Sequence, residues 1–139
     1  MKYLLDTHIL LWALKGRDNQ NEPLPGKAAE IILNSENEIY YSSINIFEVE
    51  IKRITHPQLG LPSGEELIAF CEEAGFQPLS LTSRQTLFMK TLKKDESVKN
   101  HKDPYDWLLV SQAKCEGMKL ITSDSKLKHY LEDCIEAVL

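Results

Sequence analysis

The stretch that decides the fold is KYLLDTHILLWAL, residues 2–14. An apolar run of strand length, residues 3–5, ends on Asp6, and an apolar-periodic segment that can form a helix begins directly after it. In α/β proteins that are built from such strand-to-helix units, ligands bind at the carboxyl ends of the parallel strands. Asp6 is therefore a candidate functional carboxylate, and other acids that reach the same edge would complete a site.

Length and composition predict one soluble domain over residues 1–139, with 42% hydrophobic and 27% charged residues. The net charge of −5 disfavours a broad basic surface for nucleic acid, but it is compatible with acids that are neutralised by metal ions. Three widely spaced cysteines indicate reduced thiols and a cytoplasmic location. Since no secretory signal and no run of membrane-spanning length is found, we expect no contact with membranes.

Strands and helices alternate along the sequence, which predicts a mainly parallel sheet covered by helices on both faces. The predicted strands are residues 3–5, 38–41, 76–81, 119–122 and 134–138. The predicted helices are residues 7–14, 28–33, 44–55, 64–74, 83–92, 104–116 and 124–130, with loops at 16–26 and 93–102. Pro78 places its strand at an edge of the sheet, because proline cannot donate to a neighbouring strand.

The helix at residues 44–55 carries an apolar stripe at helical spacing, which we interpret as its buried face. The stripe consists of Ile44, Phe47, Ile51 and Ile54. Glu48 lies at the margin of this stripe, and a carboxylate that faces inward is costly unless it is paired or bound to a metal ion.

Three further acids are predicted near the same sheet edge as Asp6. Asp124 follows the strand at 119–122, and Asp103 and Asp106 begin a helix as its N-cap and its third residue. If Asp103 serves as the helix cap, the other three acids and Glu48 come from four separate segments and can meet in one cluster. These four are Asp6, Glu48, Asp106 and Asp124.

Each of these acids also has a purely structural explanation. Asp6, Asp103, Asp106 and Asp124 can be helix caps, and Glu48 can form an i,i+4 ion pair with Lys52. Capping does not explain why Asp106 follows an adequate cap or why Glu48 borders the core. A shared site for Mg²⁺ or Mn²⁺ explains the combination, since both ions take carboxylate oxygens and can activate water for attack on a phosphodiester.

Four strings of the sequence carry a combined signal: LLDTH at residues 4–8, FEVEIK at 47–52, KDPYDWLLVSQA at 102–113 and LITSD at 120–124. Together they resemble the PIN domain family, and most of all the VapC-type toxins of toxin–antitoxin pairs. The resemblance covers essentially the whole chain in the right order. It implies a PIN-like three-layer α/β/α sandwich with a central, mostly parallel sheet.

The resemblance further implies an endoribonuclease that depends on Mg²⁺ or Mn²⁺ and acts as the toxin of a type II system. Its catalytic and metal-binding acids would be Asp6, Glu48, Asp106 and Asp124, with Thr7, Asp103 and Thr122 in support. Implied partners are an RNA substrate, a cognate antitoxin that covers the site, and a second copy of the chain. Two alternatives stay open: a non-catalytic PIN-fold module that binds a protein partner, and a structure-selective DNA nuclease.

Overall fold

The computed structural model describes residues 1–18, 24, 26–93, 103–123, 127, 130 and 132–138. Its five strands form one parallel sheet in the order β3-β2-β1-β4-β5. They are β1 (Lys2–Leu5), β2 (Glu38–Ser42), β3 (Gln77–Leu79), β4 (Lys119–Thr122) and β5 (Ile135–Ala137). The strand that ends on Asp6 is therefore the central one.

The order of the strands places a switch in chain direction beside β1. From β1 the chain moves outward through β2 to β3, and it then returns to the other side of β1 for β4 and β5. Leu4 of β1 lies opposite Tyr40 of β2 and Leu120 of β4. In open parallel sheets a crevice forms at such a switch point, outside the carboxyl ends of the strands.

Helices cover both faces of the sheet, which confirms the predicted α/β/α sandwich. They are α1 (Thr7–Asp18), α2 (Gly26–Leu33), α3 (Ser43–Thr55), α4 (Gly64–Glu73), α5 (Ser83–Leu87) and α6 (Pro104–Glu116), with 3₁₀ turns at Pro57–Leu59 and Phe88–Thr91. Because successive strand residues point to opposite faces, Leu4 and Leu5 enter different apolar clusters. Leu5 packs with Ile9 and Val49, whereas Leu4 packs with Leu109.

Four helices begin at a side-chain N-cap, at or within one residue of their predicted starts. Ser42, Ser63, Thr82 and Asp103 are the N-caps of α3, α4, α5 and α6, and each side chain accepts a hydrogen bond from the first turn. Gly117 ends α6 in the left-handed region, at φ 67°. The strand predicted at 76–81 is shorter, and it is an edge strand as expected.

The predicted buried stripe of α3 is only partly correct. Ile44 is buried as predicted, but Phe47 and Ile54 are 56% and 74% exposed, and α3 also buries Asn45, Glu48 and Val49. The periodicity identified the helix correctly, but the inner face of α3 also contains polar side chains, of which Asn45 finds hydrogen-bond partners there. Apolar side chains consequently remain on the outer surface of α3.

Several predictions fall outside the described residues. These are most of the two loops at 16–26 and 93–102, most of the helix at 124–130, and Asp124. Within the described part of the chain, no helix is long and apolar enough to cross a membrane.

Candidate active site

A cleft of about 350 Å³ opens at the carboxyl end of β1 and brings together acids from three parts of the chain. It is lined by Asp6, Thr7, His8, Leu11, Glu48, Lys52, Asp103, Asp106 and Ser123. Three of the four acids in the predicted cluster therefore face one space, and Asp103 joins them. The fourth predicted acid, Asp124, lies outside the described residues, although the preceding Ser123 lines the cleft.

Asp6 is held at the centre of the sheet edge by its neighbours. Its backbone N–H donates to the carbonyl of Ile121 in β4 at 3.0 Å, which continues the sheet ladder by one residue. Its Oδ1 accepts from the backbone N–H of Thr7 at 2.8 Å, and its Oδ2 accepts from the hydroxyl of Thr122 at 2.7 Å. Thr7 and Thr122, both predicted to support the site, thus fix the orientation of this carboxylate.

Glu48 projects from the middle of α3 and is only 9% exposed. Its Oε2 accepts a hydrogen bond from Nζ of Lys52 at 2.9 Å, one helical turn further on. Burial alone would lower the pKa of Lys52, but the hydrogen bond to Glu48 and the charges of Glu48, Asp103 and Asp6 outweigh burial and raise that pKa. The ammonium group therefore lies in the negative field of three cleft acids.

Asp103 and Asp106 sit at the start of α6 with different contacts. Oδ1 of Asp103 accepts from the backbone N–H of Tyr105 at 2.9 Å and from that of Asp106 at 3.4 Å, as an N-cap does. Asp106 is 7% exposed and lines the cleft. Burial raises the pKa of the Tyr130 phenol, and the charges of Asp106 and Asp103 raise it further.

The structural explanations for Asp103 and Glu48 are thus correct but incomplete. Asp103 does cap a helix, Glu48 does pair with Lys52, and Asp6 does bond to the first residue of α1. None of these contacts requires the carboxylates to share one cleft. Carboxylates at close range repel each other, and a cation between them relieves that repulsion.

The donors in the cleft are of the type that Mg²⁺ and Mn²⁺ prefer, namely carboxylate oxygens. Among the residues that the structure describes, however, no three acidic, histidine or cysteine side chains are close enough to hold one ion between them. Glu48 is turned towards Lys52, so its carboxylate is engaged with a cation that belongs to the protein. The donor chemistry of the cleft fits a hard divalent ion, and one oxygen of Glu48, Oε2, is bonded to Lys52.

Asn45 is a structural element of the site that sequence reasoning missed. Its Nδ2 donates to the carbonyl of Leu5 at 3.1 Å and to Oγ1 of Thr7 at 2.9 Å, on either side of Asp6. Its Oδ1 accepts from the backbone N–H of Ser42 at 2.6 Å. Only the last contact has a sequence signal, since residue N3 of a helix often closes a capping box with Glu or Gln.

His8 is a further residue of the cleft that the acid pattern did not indicate. The exposed His8 ring lines the cleft and meets the half-buried Trp12 ring edge-on, with 6.1 Å between centroids. The ring centroid of Phe47 on α3 lies 6.0 Å from the ring centroid of Tyr105 in the first turn of α6.

Solved structures with a similar fold match this chain over nearly its whole length. A chain of VapBC2 from Rickettsia felis, bound to a DNA fragment from its promoter, is 19% identical, covers 99% of this chain and 98% of its own, and has a TM-score of 0.65. A chain of DNA-bound VapBC from Salmonella typhimurium is 17% identical, covers 100% of this chain and 99% of its own, and has a TM-score of 0.63. A chain of a toxin–antitoxin complex from Klebsiella pneumoniae is 18% identical, covers 99% of this chain and 98% of its own, and has a TM-score of 0.59.

At these identities the structural likeness establishes the fold alone. No curated protein sequence matches this chain. The family model for the PIN domain does match, and it spans residues 3–132, from β1 to the segment before β5. That span contains every acid of the cleft and nearly all of the sheet. The chain therefore belongs to the PIN domain family.

Proposed function

We propose that this protein is an endoribonuclease that depends on Mg²⁺ or Mn²⁺ and serves as the toxin of a type II, VapBC-like toxin–antitoxin system. The observation that carries the proposal is the cleft at the end of β1, where Asp6, Glu48 and Asp106 come together from three separate elements. Nothing in this set resembles a covalent nucleophile with an adjacent base. A set of carboxylates suits hydrolysis by an activated water.

In this proposal Asp6, Glu48 and Asp106 hold the divalent ion, and Asp124 is their fourth partner by resemblance to the family. The ion, when bound, supplies activation of a water and neutralisation of phosphate charge. Thr122 and Thr7 orient Asp6 through the hydrogen bonds described above. Asp103 acts indirectly, because its cap of α6 fixes the position from which Asp106 enters the cleft.

The proposed partners are an RNA substrate, a cognate antitoxin and a second copy of the chain. The antitoxin is supported by the similar solved structures, which are described as VapBC or toxin–antitoxin complexes. The homodimer is supported by the exposed apolar side chains of Phe47 and Ile54 on α3, since such surfaces are typical of protein interfaces. We further propose that residues 1–139 act as a single domain in the cytoplasm, where its three free thiols would stay reduced.

The test replaces Asp6 or Asp106 with Asn, which keeps the shape of each side chain and removes its charge. Both variants should lose Mn²⁺-dependent cleavage of RNA by roughly 100-fold or more, because charge stabilisation in the site is lost. Removal of the metal ion with a chelator should abolish cleavage by the unaltered protein. Glu65→Gln, at an exposed acid in the first turn of α4, is the matched control and should cleave normally.

Cleavage that survives both aspartate substitutions would overturn the assignment. A protein that binds its partner but cleaves no RNA with Mn²⁺ would instead be a non-catalytic binding module. Parallel assays on single-stranded RNA, single-stranded DNA and duplex DNA separate the ribonuclease from a DNA nuclease on the same fold.

A further inference from the structure

Lys52 places a positive charge inside a cleft that is lined by four acids. Its Nζ is 2.9 Å from Oε2 of Glu48, and the charges of Asp103 and Asp6 also act on it. The lysine lines the cleft together with these three carboxylates. Its ammonium group therefore occupies the part of the site where negative charge is concentrated.

The two partners of this ion pair differ in their access to solvent. The side chain of Glu48 is 12% exposed and that of Lys52 is 46% exposed. A nearly buried carboxylate is costly when it has no counter-charge, and neighbouring carboxylates increase the cost. Lys52 offsets both effects, yet its long and half-exposed side chain can turn to water without loss of hydration. The pair is thus stable when closed and easily opened from the lysine side.

A divalent ion and Lys52 compete for the same carboxylate. An ion bound by Glu48 would stand beside the ammonium group, and two positive charges at such a distance repel strongly. Within the described residues, no three potential ligands are close enough to share an ion while this pair is closed.

We propose that Lys52 is a built-in counter-cation, which binds Glu48 in the metal-free cleft and releases it when a divalent ion enters. The proposal rests on the metal dependence put forward under the proposed function. Lys52 stabilises the empty cleft, lowers the affinity for the ion and acts as a positioning residue for Glu48.

A second lysine–glutamate pair provides a matched control. Nζ of Lys114 is 2.8 Å from Oε1 of Glu132, and these side chains are 28% and 6% exposed. Lys114 also donates to the carbonyl of Thr91, and the pair lines a different cavity, between the end of α6 and β5. Its removal changes the net charge of the protein by the same amount as removal of Lys52.

The experiment measures Mn²⁺ binding by isothermal calorimetry, and thermal unfolding in the presence of a chelator, for the unaltered protein, Lys52→Met and Lys114→Met. Lys52→Met should bind Mn²⁺ roughly fivefold more tightly, as expected when an opposing ion pair is removed. Lys114→Met should bind Mn²⁺ within twofold of the unaltered protein. Both variants should unfold at a lower temperature when no metal ion is present.

Equal or weaker Mn²⁺ binding by Lys52→Met would overturn the role of Lys52 and leave the metal-dependent nuclease intact. If neither protein binds Mn²⁺, the metal dependence fails and the role of Lys52 fails with it. Tighter binding in both lysine variants would reduce the effect to net charge and also overturn the proposal. Lys52→Gln serves as a second neutral variant if Lys52→Met does not fold, and the same increase in affinity is expected.

Discussion

The molecule contains two polar clusters of different chemistry: one is made of charged side chains, and the other is made of uncharged amides and hydroxyls. The acidic cleft contains the carboxylates of Asp6, Glu48, Asp103 and Asp106. The other cluster, which we call the amide chain, consists of Ser42, Gln85, Ser111 and Gln112. In the amide chain, the hydroxyl of Ser42 donates to Oε1 of Gln112 at 2.5 Å, and Nε2 of Gln112 donates to Oε1 of Gln85 at 3.1 Å. The hydroxyl of Ser111 donates to the carbonyl of Gln85.

The difference between the clusters separates stability from function. The members of the amide chain are uncharged and at most 2% exposed, and they bond to one another, to the backbone N–H of Thr82 and to the carboxylate of Glu116. The acidic cleft collects four carboxylates in a space that opens to solvent, and Lys52 pairs with one of them, Glu48. A buried neutral network that is fully satisfied makes the native packing unique, whereas gathered like charges cost stability unless a ligand uses them.

The largest effect on stability should come from Gln85→Ala, which breaks the amide chain at its centre. It would leave Nε2 of Gln112 and the backbone N–H of Thr82 without their present acceptor. A buried donor that loses its partner costs about 1–3 kcal/mol, and the fully buried Gln112 supplies one such donor, so the free energy of unfolding should fall by about that much. Urea unfolding measures the change, with Gln77→Ala on the exposed edge strand as the control.

The same variant tests whether the amide chain is separate from the cleft. RNA cleavage by Gln85→Ala, measured well below its unfolding temperature, should match that of the unaltered protein. A fall as large as that expected for Asp106→Asn would show that the amide chain serves the reaction, and the separation of stability from function would be wrong.

A smaller effect of mixed kind is expected at Asn45, because this residue contacts both clusters. Its amide bonds to Ser42 of the amide chain and to Leu5 and Thr7, which flank Asp6. Asn45→Ala should lower the free energy of unfolding by about 1–2 kcal/mol and RNA cleavage by roughly tenfold, since displacement of catalytic groups costs rate.

The split between the kinetic constants distinguishes positioning from mere destabilisation. If Asn45 fixes the distance between Asp6 and Glu48, kcat falls at temperatures where the variant is fully folded. An unchanged kcat would restrict Asn45 to a structural role in the packing of α3 on the sheet.

The sequence predicts those parts of this molecule that local physics determines. Strand-to-helix alternation, the cap at Asp103, and Asp6 at a strand end all follow from patterns within a few residues. The burial of Ile44 and Glu48 on α3 agrees with the sequence pattern, but the burial of Asn45 could not be predicted, because it depends on partners 38 and 40 residues away. The role of Asp124 stays a prediction that rests on the family resemblance.

The cleft shows the same limit at closer range. The spacing of Glu48 and Lys52 predicts an ion pair, but spacing alone cannot show that the charges of Asp6 and Asp103 act on the same lysine. That convergence depends on three elements that meet at the end of β1. Sequence patterns thus predicted the acids, and the tertiary structure was needed to find the cation among them.

The smallest effect on the free energy of unfolding is expected at the thiol of Cys71, which belongs neither to the amide chain nor to the solvent-filled cleft. Cys71 is fully buried among Leu67, Phe70 and other apolar side chains. Burial, together with the charge of Glu72, raises the pKa of its thiol from 9.0 to about 12. The unfolded chain therefore ionises this thiol from about pH 9, while the folded protein keeps it neutral.

Stability from the neutral thiol is fully present below pH 9 and is lost as the pH rises towards 12. Between pH 8 and pH 10 the free energy of unfolding should fall by about 1 kcal/mol more in the unaltered protein than in Cys71→Ala. Urea titrations at the two pH values measure this difference, and subtracting the values for each protein cancels the small cavity that alanine leaves. An equal loss of unfolding free energy between pH 8 and pH 10 in both proteins would mean that the interior tolerates a thiolate at this position. The core would then exclude an isolated charge less strictly than we infer from the comparison of the two clusters.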